Sequence, residues 1–262
     1  MRIIATLVSH RHLLATMVRR DIGARFAGSS LGGLWTLIHP VIMLSLYTMV
    51  FAYIYRVPQM EGGHSFAEFA FCGLWPWMAF QEACLRSVTV IIDNANLVKK
   101  LQFPSELLVI SVTLAGFLTQ GIGFLLFLLG LMIWHGSVSV VSIALLAVPL
   151  VIHITLAAGI GMILACGNVF FRDLGQLATA GFTIWFFLTP VLYSPSLVPT
   201  VLQPVLQWNP VAPLLGLYRS LILAHTFVGE LGLLYCALVS GILFWLGAYL
   251  FHRCRGFFAD YL

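Results

Sequence analysis

Long apolar segments separated by short polar stretches run through most of the chain. Six of them approach or exceed the ~20 residues that a helix needs to cross ~30 Å of hydrocarbon. Their apolar runs are continuous, whereas a membrane β-barrel has strands of about 10 residues that alternate apolar and polar positions. The pattern therefore predicts an all-α membrane protein with six transmembrane helices. The predicted spans cover residues 34–56, 67–91, 106–133, 139–170, 175–194 and 229–251.

The segment that precedes the first span has the pattern of an imperfect amphipathic helix over residues 3–22. Its polar face carries Arg19 and Arg20, and Arg11 interrupts the apolar arc. Such a helix is expected to lie in the cytoplasmic membrane interface. The residues predicted to share its apolar face are Leu7, Leu14, Met17, Val18 and Ile22.

The last connection, residues 195–228, contains five prolines. It is too rich in proline for one spanning helix and too apolar for a free loop, so we expect short re-entrant helices packed against protein. With no linker visible, the chain is interpreted as a single transmembrane domain, residues 1–262. Its parts are an interface segment (1–30), a six-span bundle (34–251) and a cytoplasmic tail (252–262).

Composition and charge placement agree with a membrane location. The chain is 61% hydrophobic and 8% charged, whereas soluble domains carry about 25% charged residues. By these boundaries, 11 of the 13 Lys and Arg residues lie on one side, and only Arg56 and Arg219 lie on the other. The positive-inside rule then predicts that both termini are cytoplasmic in a plasma membrane. The positive net charge therefore reflects topology and gives no indication of nucleic-acid binding.

Several kinds of chemistry have no signal in the sequence. There is no Walker-type phosphate loop, and no serine, histidine and carboxylate set arranged for hydrolysis. The cysteines and histidines lack metal-site spacing, so neither catalytic nor metal-binding residues are predicted. The spans hold few ionisable residues, of which Glu68, Glu82 and Glu106 are the nearest candidates. The chain is expected to be a conduit energised from elsewhere, or a structural membrane protein.

Four polar stretches, in this order and spacing, carry a specific resemblance. They cover residues 20–40, 94–104, 168–176 and 208–219, and include R-D-I-G-A-R-F and N-A-N-L-V-K-K-L-Q-F-P. The chain resembles the membrane subunit of ABC-2 type polysaccharide exporters, which include O-antigen, capsule and teichoic-acid export permeases. The wording G-S-S-L-G-G-L-W at residues 28–35 is closer to the O-antigen branch.

The resemblance implies partners and energy source. It implies a homodimer in the bacterial inner membrane, two ATPase subunits on its cytoplasmic face, and a polysaccharide or glycolipid cargo such as lipid-linked O-antigen. ATP and Mg²⁺ would be bound by the ATPase, so this chain itself is expected to hold no cofactor and to perform no covalent chemistry.

The stretch that ends at Pro104 is predicted to form a short amphipathic helix, which suits docking into a groove of a partner. Its Lys99 and Lys100 alone would also fit a simple topology signal. The resemblance implies that it is the coupling helix against the ATPase. The residues predicted to couple are Arg20, Asp21, Arg25, Asn96, Lys99, Lys100, Phe103 and Pro104.

Aromatic side chains are the candidates for the cargo pathway. Tyr47, Phe51 and Tyr55 recur every four residues and so share a helix face, while Trp185 and Tyr193 belong to the fifth span. Rings and hydroxyls suit the apolar faces and hydroxyls of a sugar chain, and bulky rings could gate the pathway. The alternative interpretation is contact with lipid or an interfacial aromatic belt, which is the expectation for Trp75 and Trp77.

Two other functions are also compatible with the sequence. An ABC-2 exporter of small amphipathic drugs or lipids would use the same scaffold, but with a closed apolar vestibule in place of an aromatic and polar track. An ATP-independent membrane scaffold would differ by having no associated ATPase activity.

Overall fold

The structure is a computed structural model, and every regular element in its described residues is helical, as predicted. The residues it describes are 2–54, 65–100, 104–135, 140–226 and 229–261. The α-helices are α1 (Arg2–Ser9), α2 (Arg11–Phe26), α3 (Trp35–Thr48), α4 (Phe66–Asp93), α5 (Ala95–Lys100), α6 (Glu106–His135), α7 (Val140–Leu145), α8 (Ala147–Phe170), α9 (Leu174–Leu188), α10 (Gln203–Trp208), α11 (Val211–Ile222), α12 (Glu230–Cys254) and α13 (Phe258–Tyr261).

The predicted N-terminal helix is present but is divided in two at His10. Ser9 Oγ and His10 Nδ1 both reach the Thr6 carbonyl oxygen, at 3.1 Å, and such side-chain bonds compete with the helix. The helix then continues to Phe26, beyond the predicted end. Met17 is buried, as the amphipathic pattern predicted.

Four helical segments are long and apolar enough to cross a membrane: Gly32–Ile54, Glu106–Ile133, Val141–Phe170 and Glu230–Phe257. They correspond to the predicted first, third, fourth and sixth spans. The first is not a uniform α-helix, because Met49–Ile54 is a π-helix that continues α3. The fourth has a turn at Leu146, which separates α7 from α8.

The other two predicted spans differ from these four. Helix α4 has 28 residues, enough to cross the bilayer, but it carries Glu68, Glu82 and Arg86 and is less apolar. Helix α9 has only 15 residues, about 22 Å, and ends at Leu188, not at residue 194 as predicted. Its end has a local cause: Thr189 precedes Pro190 and is extended, with φ −103° and ψ 138°.

The proline-rich connection forms short helices, as expected from its sequence. Two 3-10 turns, Pro195–Leu197 and Thr200–Leu202, precede α10 and α11. Buried side chains occupy most of α11, so this segment is packed into the bundle.

Helix α4 lies at the centre, in contact with α3, α6, α8, α9 and α11. Trp75 and Trp77 are only 3% and 1% exposed, so the prediction that they form an interfacial belt is wrong. Trp75 stacks on Phe124, with ring centroids 3.8 Å apart, and its indole donates to the Gln120 carbonyl oxygen. Tertiary packing against α6 removes this ring from lipid.

Helices α8 and α12 pack closely against each other. A Cβ added at Gly159 would lie 2.6 Å from the backbone nitrogen of Phe244, and one at Gly247 would meet the carbonyl oxygen of Gly159. The two glycines therefore permit a backbone approach that larger residues would block, as small residues do between membrane helices.

Candidate coupling surface and chamber

The predicted coupling helix is present as α5, directly after α4. Asn94 ends α4 by donating through its side chain to the Val90 carbonyl oxygen, at 2.8 Å. Within α5, Asn96 and Lys99 are exposed, whereas Val98 packs against a buried cluster. The helix therefore presents a polar face outward and an apolar face to the bundle. Of the remaining predicted residues, Pro104 is half-buried, Phe103 lies outside the described residues, and Lys100 is described only as part of the helix.

The C-terminal segment packs beside this helix. Helix α13 contacts α5, and its Phe258 is fully buried in edge contact with Phe251, at a centroid distance of 5.2 Å. The tail therefore packs against α5, and its Phe258 belongs to the same buried cluster that Val98 packs against. No such role was predicted for the tail from the sequence.

The other predicted coupling residues lie on α2, and they face in two directions. The Arg20 side chain is 44% exposed, and among the described residues its one ion-pair partner is its neighbour Asp21, at 3.0 Å. Asp21 is buried, and it accepts a hydrogen bond from Ser111 Oγ of α6, at 2.7 Å. Arg25, one turn later, has a side chain only 4% exposed. Two of the three predicted residues therefore bind α2 to the bundle, and only Arg20 faces outward.

Arg25, Glu82 and Arg86 form a group that we call the guanidinium cluster. Arg25 Nη1 donates to Glu82 Oε1 at 2.6 Å, and Arg86 Nε lies 3.7 Å from the same oxygen. Gln120 of α6 donates to the other carboxylate oxygen at 2.7 Å. Burial lowers the pKa of the Arg25 guanidinium, and the carboxylate of Glu82 opposes this shift. The cluster thus joins α2, α4 and α6.

The guanidinium cluster lies on the wall of a chamber of about 700 Å³ between α2, α3, α4, α6 and α9. Its polar wall also includes Gln81 and Gln120, and its aromatic wall includes Tyr47, Trp77 and Phe186. Tyr47 and Phe186 stack with their ring centroids 6.2 Å apart, which joins α3 to α9. The chamber therefore combines charged, amide and aromatic surfaces.

Of the five predicted pathway residues, the four that the structure describes lie in different surroundings. Tyr47 lines the chamber, whereas Phe51 stacks on Phe66 at 5.5 Å, and Tyr55 lies outside the described residues. Trp185 packs inside the bundle and donates to Asn209 Oδ1 at 3.1 Å. Tyr193 lines a second cavity of about 370 Å³ beside the short helices that follow α9.

Asn209 and Arg219 hold the turn that follows α9, and no role was predicted for either residue from the sequence. Asn209 donates to Thr189 Oγ1 at 2.8 Å. Arg219 donates to the carbonyl oxygens of Pro190 and Val191, at 2.7 and 2.6 Å. Arg219 was recognisable as one of the few cations outside the stretches predicted to be cytoplasmic, and an ionisable residue in an apolar segment is a signal for a specific partner.

Comparison with known proteins gives a consistent result. Residues 12–223 match the ABC-2 type transporter family. The chain is 30% identical over 262 residues to the O-antigen export system permease protein RfbA of Myxococcus xanthus, covering 99% of this chain and 98% of that protein. It is 28% identical to the protein of that name in Klebsiella pneumoniae, over 95% of both chains.

A more distant relative is the polysialic acid transport protein KpsM of Escherichia coli, which is 23% identical over 88% of this chain. The resemblance predicted from the four polar stretches is thus confirmed by matches that extend over nearly the whole sequence. The chain belongs to the ABC-2 type transporter family.

Proposed function

We propose that this chain is the membrane-spanning permease of an ATP-driven exporter that moves a polysaccharide, of the lipid-linked O-antigen kind, across the bacterial inner membrane. The observation that carries the proposal is the end-to-end similarity to proteins named O-antigen export permeases. The chamber supports it, because its aromatic and amide walls suit the faces and hydroxyls of sugars.

The proposed topology has six spans with both termini in the cytoplasm. Helix α4 is long enough to cross the hydrocarbon, and its Glu82 is bound by Arg25 of α2 and by Gln120 of α6. Helix α9 would complete its crossing with the turn after Leu188, which Arg219 holds against the bundle. The short helices that follow would be re-entrant from the outer face.

Two copies would form the pathway. The first span, Gly32–Ile54, is apolar, but only 6% of the residues in its most apolar 18-residue stretch are buried within one chain. It therefore has a wide face for a second copy or for lipid. The chamber borders this span through Tyr47, so a partner there would extend the chamber toward a shared channel. Two ATPase subunits would bind ATP and Mg²⁺ at the cytoplasmic face.

Coupling would pass through α5 and α2. The exposed Asn96 and Lys99 would contact the ATPase, while Asp21 and Arg25 would carry movement of α2 into α6 and α4. In this scheme Arg20 belongs to the docking surface, and Asp21 and Arg25 belong to the transmission from it.

The coupling proposal is tested by charge reversal at Lys99. Lys99→Glu reverses an exposed charge at the docking face, so co-purification of the ATPase should fall while membrane insertion is unchanged. Lys99→Arg is the matched control, and it should retain the ATPase. If Lys99→Glu retained both the ATPase and export, the residue would be only a topology signal.

The transport function is tested by deleting the gene in its host. The expected result is loss of the surface polysaccharide together with accumulation of glycan on the cytoplasmic side, restored by the wild-type chain. Normal surface glycan in the deletion strain, with export of a small amphipathic compound lost instead, would contradict the proposal.

A further inference from the structure

Helices α8 and α12 each carry a cysteine about two turns beyond a glycine of their contact face. Cys166 follows Gly159 by seven residues, and Cys254 follows Gly247 by seven residues. Residues at this spacing lie on nearly the same face of a helix. The two cysteines therefore continue the face on which the two glycines bring the backbones together.

The two helices run parallel, so the two cysteines meet. A Cβ at Gly247 would lie 3.2 Å from the Cβ of Met162, and farther along both helices Cys166 Sγ lies 4.0 Å from the Leu250 carbonyl oxygen. In an α-helix this carbonyl accepts from the amide of Cys254, one turn later. The thiols of Cys166 and Cys254 are in hydrogen-bond contact with each other.

The two thiols differ in their access to water. Both are free, but Cys166 is buried, with 5% of its surface exposed, whereas Cys254 is partly exposed. The neighbours of Cys254 in the chain, Arg253 and Arg255, are both exposed. A small reagent in water therefore reaches Cys254 first, with Cys166 directly behind it. An accessible cysteine next to a second thiol is the arrangement typical of redox-sensing sites.

We propose that Cys166 and Cys254 form a redox-sensitive dithiol, which hydrogen peroxide converts to a disulfide between α8 and α12. The Cys254 sulfur attacks one peroxide oxygen, the O–O bond breaks, and a sulfenic acid and water are formed. The Cys166 sulfur then attacks the Cys254 sulfur, so that the S–O bond breaks and the S–S bond forms. The released hydroxide takes the Cys166 proton and leaves as water. Two thiols are thus oxidised, and one peroxide is reduced to two waters.

The position of the pair gives this disulfide a structural consequence. Cys254 is the last residue of α12, and the chain continues into α13, whose Phe258 shares a buried cluster with Val98 of α5. A disulfide would fix the start of this tail to α8. In the proposed topology this end of the bundle is cytoplasmic, where disulfides are transient and serve redox sensing. The inference rests on the proposed function for that placement alone.

The test uses the full chain, purified in detergent with a reductant that is then removed, and treated with hydrogen peroxide. Peptide mass spectrometry without reductant should find Cys166 and Cys254 in one cross-linked product, lighter by two hydrogen atoms than the two reduced peptides. Dithiothreitol should reverse the cross-link, and the chain should run as a monomer on a non-reducing gel. A disulfide that joins two copies, or no cross-link at Cys166 after treatment, would overturn the proposal.

Single substitutions test the order of the two steps. Cys166→Ser leaves Cys254 without a second thiol, so peroxide should produce a sulfenic acid there that dimedone traps, whereas the wild type should trap little. Cys254→Ser removes the accessible thiol, so Cys166 should stay reduced.

Cys236→Ser is the matched control, because it changes a buried cysteine whose thiol donates to the Pro210 carbonyl oxygen, and it should form the disulfide as the wild type does. Equal dimedone trapping in wild type and Cys166→Ser would contradict a resolving role for Cys166. Because neither ATPase nor transport enters these measurements, a chain that forms the disulfide but exports no glycan would contradict the proposed function and leave the dithiol standing.

Discussion

Replacing Arg219 with leucine should destabilise the turn that joins α9 to the short helices. Arg219 donates to two carbonyl oxygens outside any helix, those of Pro190 and Val191, and its guanidinium lies 3.7 Å from the centre of the Phe69 ring. A Cβ at Gly73 would come within 2.7 Å of the Val191 oxygen, so α4 and this turn are in close contact. Leucine can fill part of the space, but it cannot donate.

The expected magnitude follows from these contacts. Each hydrogen bond to a charged group contributes about 1.5–3 kcal/mol, and each buried carbonyl left without a donor costs about 1–3 kcal/mol. Leucine also removes the cost of burying a cation, and this gain offsets several kcal/mol of the loss. We therefore expect a net loss of about 2–4 kcal/mol for Arg219→Leu, or a fall of roughly 5–10 °C in unfolding temperature.

Thermal unfolding in detergent measures this loss, and limited proteolysis should show earlier cleavage between residues 189 and 210. Arg253→Leu is the matched control, because Arg253 is exposed and its guanidinium lies 5.5 Å from the Tyr249 ring. It should change the unfolding temperature by little. Equal unfolding temperatures for wild type and Arg219→Leu would refute the view that this arginine holds the turn.

Other positions give further tests. Gly159→Ala should lower the unfolding temperature, because its Cβ would lie 2.6 Å from the backbone of α12. Gly181→Ala should leave that temperature unchanged, because its Cβ would meet nothing within 4 Å. Equal effects of the two substitutions would argue against close packing of α8 on α12. Tyr47→Ala should reduce glycan export more than stability, because the ring lines the chamber, whereas Phe51→Ala should mainly reduce stability, because its ring stacks on α4. Export and unfolding temperature measured on the same preparations decide this, and the opposite order would contradict the assignment.

Much of the fold could be predicted because the lipid environment imposes simple rules. Continuous apolar runs and proline placement predicted helix class and most boundaries: 106–133 was predicted and α6 is Glu106–His135. The end of α9 was missed because α9 stops at the Thr189–Pro190 step, and the turn is then held by Arg219 and Asn209, which lie at least 19 residues later. A hydropathy pattern does not indicate hydrogen-bond partners that lie so far along the chain.

The candidate site was predictable in part. The polar face of α5 follows from its own sequence, because Asn96 and Lys99 are three residues apart on a helix. The inward direction of Asp21 and Arg25 was also encoded, since both follow Met17 at intervals of four residues and so share its buried face. The family resemblance predicted that Asp21 and Arg25 couple to the ATPase, whereas their position on the helix indicated contact with the bundle.

The chamber itself could not be predicted. Its wall combines side chains from five helices, among them Tyr47, Glu82, Gln120 and Phe186, which are brought together only by tertiary packing. The sequence did indicate Glu82 as a rare ionisable residue in a span. Its partners, Arg25 at a separation of 57 residues and Gln120 at 38, had no local signal.

Transport in a defined system tests the central claim most directly. The chain would be reconstituted with its ATPase in sealed vesicles, with the nucleotide-binding face outward and a lipid-linked polysaccharide in the outer leaflet. Addition of ATP and Mg²⁺ should make the glycan progressively resistant to an added glycosidase, and vesicles without this chain should show no such protection. Glycan that stays fully accessible while ATP is hydrolysed at an undiminished rate would contradict the assignment of this chain as a polysaccharide export permease.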